Sequence, residues 1–130
     1  MSANSLPAIQ KLKSRKAIET LFRQGQRFPV FPVLIWHRWD KTEKGGVQAG
    51  FACSKKHFKK AVDRNRIKRQ MREAYRLQKA ALMETAAEKQ QEVQLFFVYT
   101  GKTLPEYADL YKAIGKSLRQ LNAKVHEVGQ

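Results

Sequence analysis

The stretch Ala61-Val62-Asp63-Arg64-Asn65-Arg66-Ile67-Lys68-Arg69-Gln70-Met71-Arg72-Glu73-Ala74-Tyr75-Arg76 decides the fold. At about 100° per residue it has two opposed sides. Ile67, Met71 and Ala74 share one side, and Gln78 and Ala81 continue that stripe with Leu77 flanking it. Asn65, Lys68, Arg69, Arg72 and Arg76 fall on the other side within an arc of roughly 100°. Arg64 and Arg66 flank that arc. A segment divided this way is an amphipathic helix, with its apolar side against a core and its cationic side turned outward. The pattern predicts a long helix over roughly Lys60 to Lys89.

Upstream, Val47, Ala49, Phe51 and Cys53 alternate with Gln48, Gly50, Ala52 and Ser54, which predicts a strand with one apolar face. The polar stretch Asp40 to Gly46 ends in Gly-Gly and reads as a hairpin loop. Before it, Phe28 to Trp39 is aromatic and β-branched. Pro29 and Pro32 cannot donate to a ladder, so the strand proper is expected from about Val33. Ser14 is placed to cap a first helix that runs to about Gln24, and Gly25 would stop it in a left-handed conformation. That helix brings Ile18, Leu21 and Phe22 to one side.

Downstream, Val93 to Thr100 is apolar on both faces, the mark of a central strand. Gly101 and Lys102 turn the chain. Thr103 and Glu106 suggest a capping box for a last helix that runs to about Val125 and is cored by Tyr107, Leu110, Ile114, Leu118 and Leu121. The order α-β-β-α-β-α implies an α+β fold, a two-layer α/β sandwich. With 130 residues the chain is expected to form one domain, folded over about 9–125, with frayed ends at Met1 to Ala8 and Val125 to Gln130.

Charge narrows the function. There are 26 Lys and Arg residues against 11 Asp and Glu, a net +15 with a pI near 10.3. Between Ser54 and Arg76 ten cationic side chains face only Asp63 and Glu73, so over half of the surplus lies in under a fifth of the chain. Such a surplus repels itself and calls for a polyanionic partner, nucleic acid before an anionic membrane. A solvated face laced with ion pairs fits poorly, because two carboxylates cannot offset ten cations. A membrane-surface helix needs its apolar side at the lipid, and here the core takes that side. No apolar run approaches a membrane span: the longest, Val30 to Trp36, is broken by Pro32. Met1 to Gln10 has no secretory pattern. Cys53 is the single cysteine and is expected to be a buried, inert thiol. The chain is therefore expected in the cytoplasm.

Protein-borne nuclease chemistry is not visible. His37, His57 and His126 are scattered without metal-ligand spacing, and Asp40, Glu43 and Asp63 do not cluster in sequence. There is no nucleophile motif and no phosphate-binding glycine loop. No helix-turn-helix spacing supports a duplex-DNA reader.

The Arg64-Asn65-Arg66-Ile67-Lys68-Arg69 run, within the helix quoted above, closely resembles the signature of the bacterial ribonuclease P protein subunit family. Ala49-Gly50-Phe51 to Ser54-Lys55-Lys56 looks like that family's strand entering the helix. Leu12-Lys13 to Phe22-Arg23-Gln24-Gly25 looks like its first helix and stop. The resemblance spans about residues 9 to 122.

It implies an α/β sandwich around a four-stranded sheet with a left-handed βαβ crossover, similar to domain 2 of ribosomal protein S5 and opposite to the usual hand. It also implies an activity: endonucleolytic removal of the 5′ leader from precursor tRNA, catalysed by a partner RNA with bound Mg²⁺. One protein would sit on one catalytic RNA and contact the leader through a central cleft, with no role for DNA or membrane. Carried over by position, Lys55, Lys56, Lys59, Lys60, Arg64, Asn65, Arg66, Lys68, Arg69, Arg72 and Arg76 would contact RNA. Ile18, Phe22, Leu34 and Trp36 would line the leader cleft. The resemblance implies no protein catalytic residue and no protein-bound metal.

Two positions depart from the family pattern. Ile18 stands where the family often has an aromatic, so it offers contact without a ring stack. His57-Phe58-Lys59-Lys60 matches the longer basic linker of some members and not the shorter glycine-containing one of others. Two bland alternatives stay open at this point. Phe22 and Trp36 could be ordinary core residues, and a structural RNA-binding module such as a ribosomal protein would carry the same charge without a cleft.

Overall fold

Nine residues with large apolar side chains on both faces, ending at Tyr99, form the strand around which the rest of the chain packs. The computed structural model describes residues 11, 12 and 14–128. Its elements are α1 (Arg15–Gln24), β1 (Gln26–Val30), β2 (Val33–Lys41), β3 (Gly46–Cys53), α2 (Ala61–Gln78), α3 (Ala80–Glu88), β4 (Gln91–Tyr99) and α4 (Tyr107–His126). One four-stranded sheet has the order β1-β2-β4-β3. β1 with β2 and β2 with β4 are antiparallel, and β3 with β4 is parallel, joined through α2 and α3. The expected α+β sandwich is present, and β4 is central as its two apolar faces require.

The sheet has two unequal cores. On one face Val33, Ile35, Val47, Ala49, Val93, Leu95 and Phe97 pack with Ile67, Met71, Ala74 and Tyr75 of α2, Leu82 and Ala86 of α3, and Leu110, Ile114, Leu118 and Leu121 of α4. On the other face α1 lays Leu21 against Phe96, with Ala17, Ile18, Trp36, Ala52 and Val98 around them. The second core is small, so much of that sheet face is only half-covered.

Several sequence expectations are corrected. The strand expected from about Val33 is β2, which starts there; the proline-bearing stretch before it, not expected as a strand, forms β1, and the two fold back at a cis Phe31–Pro32 peptide. Pro29 is tolerated because β1 is an edge strand, paired on one side only. The helix expected over Lys60 to Lys89 is two helices that share Lys79, which is αR (φ −77, ψ −16). No Pro or Gly marks the break. The buried stripe changes phase there: Ala81 is exposed, whereas Leu82, Thr85 and Ala86 are buried. α3 thus turns back over the sheet and reaches β4 through Gln90, whose φ is +54.

Gly25 is not left-handed; it is extended at φ −79 and ψ 170. Glycine is required there for space, because a Cβ would lie 2.4 Å from the Leu21 carbonyl oxygen and 3.0 Å from that of His37. The capping box does not form. α4 starts at Tyr107 with Glu106 as an N-cap that makes no side-chain bond, and the Thr103 carbonyl accepts instead from the Tyr99 hydroxyl at 2.7 Å. Val125 is not frayed but fully buried, within a helix that ends at His126. Met1 to Ala8 lies outside the described residues. Ser14 does cap α1, accepting from the Ala17 amide at 3.3 Å.

His37 was read from the sequence only as a scattered histidine. It is buried, 5.4 Å from the Phe28 ring and stacked near-parallel on Trp39 at 5.6 Å. Neither ring nitrogen has a partner among the described residues. Burial, helped by the nearby Lys124 ammonium, lowers its pKa to about 4 from 6.5. The unfolded chain therefore binds the extra proton first. His37's contribution to stability is complete above about pH 6.5, is lost between about 6.5 and 4, and is flat below that. We expect urea unfolding to show up to about 3 kcal/mol of loss across this window. His37→Phe should remove that part of the pH dependence. An unchanged slope in the variant would show that His37 is not its source.

Candidate RNA interface

Burial of one face of α2 fixes the direction of the other. Ile67, Met71, Ala74 and Tyr75 have no exposed surface. Asn65, Arg66, Arg69 and Arg72 are exposed and Lys68 is half-exposed on the far side, where none of the charged four makes an ion pair with an acid among the described residues. The expected cationic strip is thus formed. Arg72 also lies over the Phe51 ring at 5.7 Å, which carries the strip to the edge of β3.

Two members of the predicted set are engaged within the protein. Arg64 falls at the margin of the buried stripe. One of its guanidinium nitrogens donates to the carbonyls of Phe58 at 2.7 Å and Lys59 at 2.9 Å. It thereby pins the 54–60 connection onto the start of α2. Arg76 Nε donates to a Glu73 carboxylate oxygen at 3.1 Å and the pair forms an ion pair. Lys55, Lys56, Lys59 and Lys60 are all exposed on the connection. Phe58, which sequence reading left as part of a basic linker, is buried and anchors it, with its ring 5.8 Å from Tyr99. The amides at the start of α2 have no side-chain cap, and Asp63 in the first turn offsets part of their partial positive charge. Cys53, half-buried beside this connection, has its thiol pKa pushed up by burial against the opposing pull of Arg64 and Lys68. The raised pKa disfavours the thiolate.

The residues expected to line a cleft lie on the other sheet face. Phe22, 40 % exposed, meets Trp36 edge-on at 5.0 Å and Phe96 at 5.2 Å. Ile18 lines a concavity of about 310 Å³ between α1, the sheet and Arg72, with Leu12, Gly50 and Phe96. Ile18, Phe22 and Trp36 are therefore brought together. Leu34 is one row further along the sheet, opposite Val98, outside the ring cluster. Phe96 is the residue that sequence reading missed; only its cross-strand register with Trp36 and Gly50 puts it on this floor. Gly50 leaves it room, since a Cβ there would lie 2.6 Å from the Phe96 ring. Arg27 lies over the Trp36 ring at 5.1 Å. Among the described residues no group of three His, Cys, Asp or Glu side chains could hold a metal ion. No helix there is long and apolar enough to cross a membrane.

Comparison with known proteins agrees with this geometry. Residues 6–122 match the family profile described as Ribonuclease P. The chain is 32 % identical over 117 residues to the ribonuclease P protein component of Porphyromonas gingivalis, covering 89 % of this chain and 85 % of that one. It is 38 % identical over 107 residues to that of Chlorobaculum tepidum, covering 76 % and 70 %. Among solved structures, the ribonuclease P protein of Thermotoga maritima superposes with a TM-score of 0.68 at 17 % identity, over 85 % of this chain and 96 % of that one. The Staphylococcus aureus protein gives 0.67 at 16 %, over 91 % and 98 %. The structures share the fold, the sequence relatives share much of the chain, and the family profile spans nearly all of it: the chain belongs to the ribonuclease P protein family.

Proposed function

We propose that the outward face of α2 binds the catalytic RNA of ribonuclease P and that the α1–sheet cleft binds the single-stranded 5′ leader of precursor tRNA. The chain thereby assists endonucleolytic, RNA-catalysed removal of the leader in the cytoplasm. The observation that carries this reading is a cationic strip bordering a half-open floor of aromatic rings. Arginine forks match phosphate oxygens bidentately and lysines add point charge, which positions RNA without reading its sequence. Rings accept unpaired bases of any identity. A duplex offers no free base faces, so the floor favours the unpaired leader over the folded tRNA body. Mg²⁺ belongs to the RNA and substrate in this reading, and phosphate neutralisation by the protein lowers how much is needed.

The deciding experiment is cleavage of precursor tRNA by cognate catalytic RNA at low Mg²⁺, with and without the protein. We expect strong stimulation. Tight RNA binding without stimulation would instead favour a structural RNA-binding module. Neutralisation of about six phosphates should make log K fall against log salt with a slope of about −4 to −5. Arg66→Ala and Arg69→Ala should each flatten it by roughly 0.7–0.9; a parental slope in both would remove α2 from the interface. Phe22→Ala should weaken precursor binding about fivefold, the low end of base stacking, at an unchanged slope. Equal loss for precursor and mature tRNA would argue against a leader cleft.

A further inference from the structure

A concavity of about 790 Å³ lies beyond both surfaces described above. Its walls are the tip of the β1–β2 hairpin, the 101–106 connection and the first turns of α4. Phe31 stands at the tip with 80 % of its surface exposed, the most exposed large apolar side chain among the described residues, and Leu104 is 47 % exposed on the connection. Phe31 has no ring partner there. The tip is nevertheless held: both the amide and the hydroxyl of Thr100 donate to the Pro32 carbonyl, at 2.8 and 3.0 Å. A bare ring on a fixed support is a platform for something flat and apolar.

Charge indicates which flat group. Lys102, Lys112 and Lys116 line the concavity, along with Glu106 and Asp109. Both carboxylates sit at the N-terminal end of α4, where the helix dipole takes up part of their charge. The ammonium groups are left facing the groove, suited to phosphates beside a stacked base. The groove also continues the cleft. Pro29, in its wall, is the cross-strand partner of Leu34, one row beyond the ring cluster on the same sheet face. Phe31 is three residues from Leu34, at most about 10 Å along the chain.

We propose that single-stranded RNA leaving the cleft passes over the hairpin tip, stacks a base on Phe31 and sets its phosphates toward Lys102, Lys112 and Lys116. This distal subsite rests on the leader-cleft reading and extends it. The test uses the reconstituted holoenzyme and two precursor tRNAs, one with a leader that ends on the cleft floor and one with a long single-stranded extension. Phe31→Ala should weaken binding of the long-leader substrate about five- to tenfold, near the low end of base stacking, and leave the short-leader substrate unchanged. Phe31→Trp should restore it. Replacing the three lysines by alanine should flatten the salt dependence for the long leader only.

Equal effects on both substrates would overturn the proposal, as would no effect on either. If Phe22→Ala and Trp36→Ala weaken binding and Phe31→Ala does not, the subsite alone is overturned and the cleft reading stands. If none of the three matters, the cleft reading falls as well.

Discussion

The buried seam of α2 is the constraint on which the rest depends. Fully burying Ile67 and Met71 contributes roughly 1.5–3 kcal/mol each, with Tyr75 adding to it. Against this stands the repulsion between like charges spaced three or four residues apart: Arg66 with Arg69, Lys68 with Arg72, and Arg69 with Arg72. Such pairs cost a few tenths of a kcal/mol each, about 1 kcal/mol together. Burial wins, so a helix that would be poor in isolation is held with its cations aligned. Were the seam weaker, the strip would relax by unwinding and its spacing would be lost. The rigid spacing of the cationic groups is thus a product of the hydrophobic core and not of the charges themselves.

The sheet divides the work in a second way. β4 is covered on both faces, but unequally. Three helices bury one side, while a ten-residue helix covers only part of the other. The row Leu34, Val98 and Ala52 stays half-exposed beyond α1, and Gly50 lets the Phe96 ring lie close over β3. A larger α1-side core would add stability at the expense of the floor. The Arg64 bonds to the Phe58 and Lys59 carbonyls serve the same end. They tie the lysine-bearing connection to the helix, so that lysines and strip move as one surface.

Much of this was legible because single residue types decide it. The α2 stripe, the Ser14 cap, the alternation of β3 and the two-sided β4 follow from periods of 3.6 and 2 with little competition. What was not legible depends on residues distant in sequence. β1 was hidden because Pro29 and Pro32 read as breakers, whereas an edge strand needs only one bonded side. The break at Lys79 carries no local signal; it is set by where the sheet lies beneath Leu82 and Ala86. Phe96 and Phe97 are neighbours of one chemical type, and only the pairing with Trp36 and Phe51 sends one to the cleft and the other to the core. The helical phase already set Arg64 beside the arc and Arg69 within it, but the bonds that hold Arg64 to the Phe58 and Lys59 carbonyls depend on the path of the connection. The family resemblance supplied the fourth strand, which periodicity alone did not.

The Trp36 ring bears on how a leader would be held. One of its faces is occupied by the Arg27 guanidinium at 5.1 Å, and its edge is engaged by Phe22. An exposed cation–π contact is worth about 0.5–1 kcal/mol, whereas a stacked base is worth about 1–3 kcal/mol. On the proposed reading, a base arriving on that face would displace Arg27 at a net gain, and the freed guanidinium at the β1 edge would be available to the accompanying phosphate. The same side chain would then cover one indole face in the empty cleft and meet a phosphate in the filled one. It also couples stacking to charge neutralisation at one point of the floor, so a neutral flat ligand, lacking the phosphate, recovers only the difference between the two contacts.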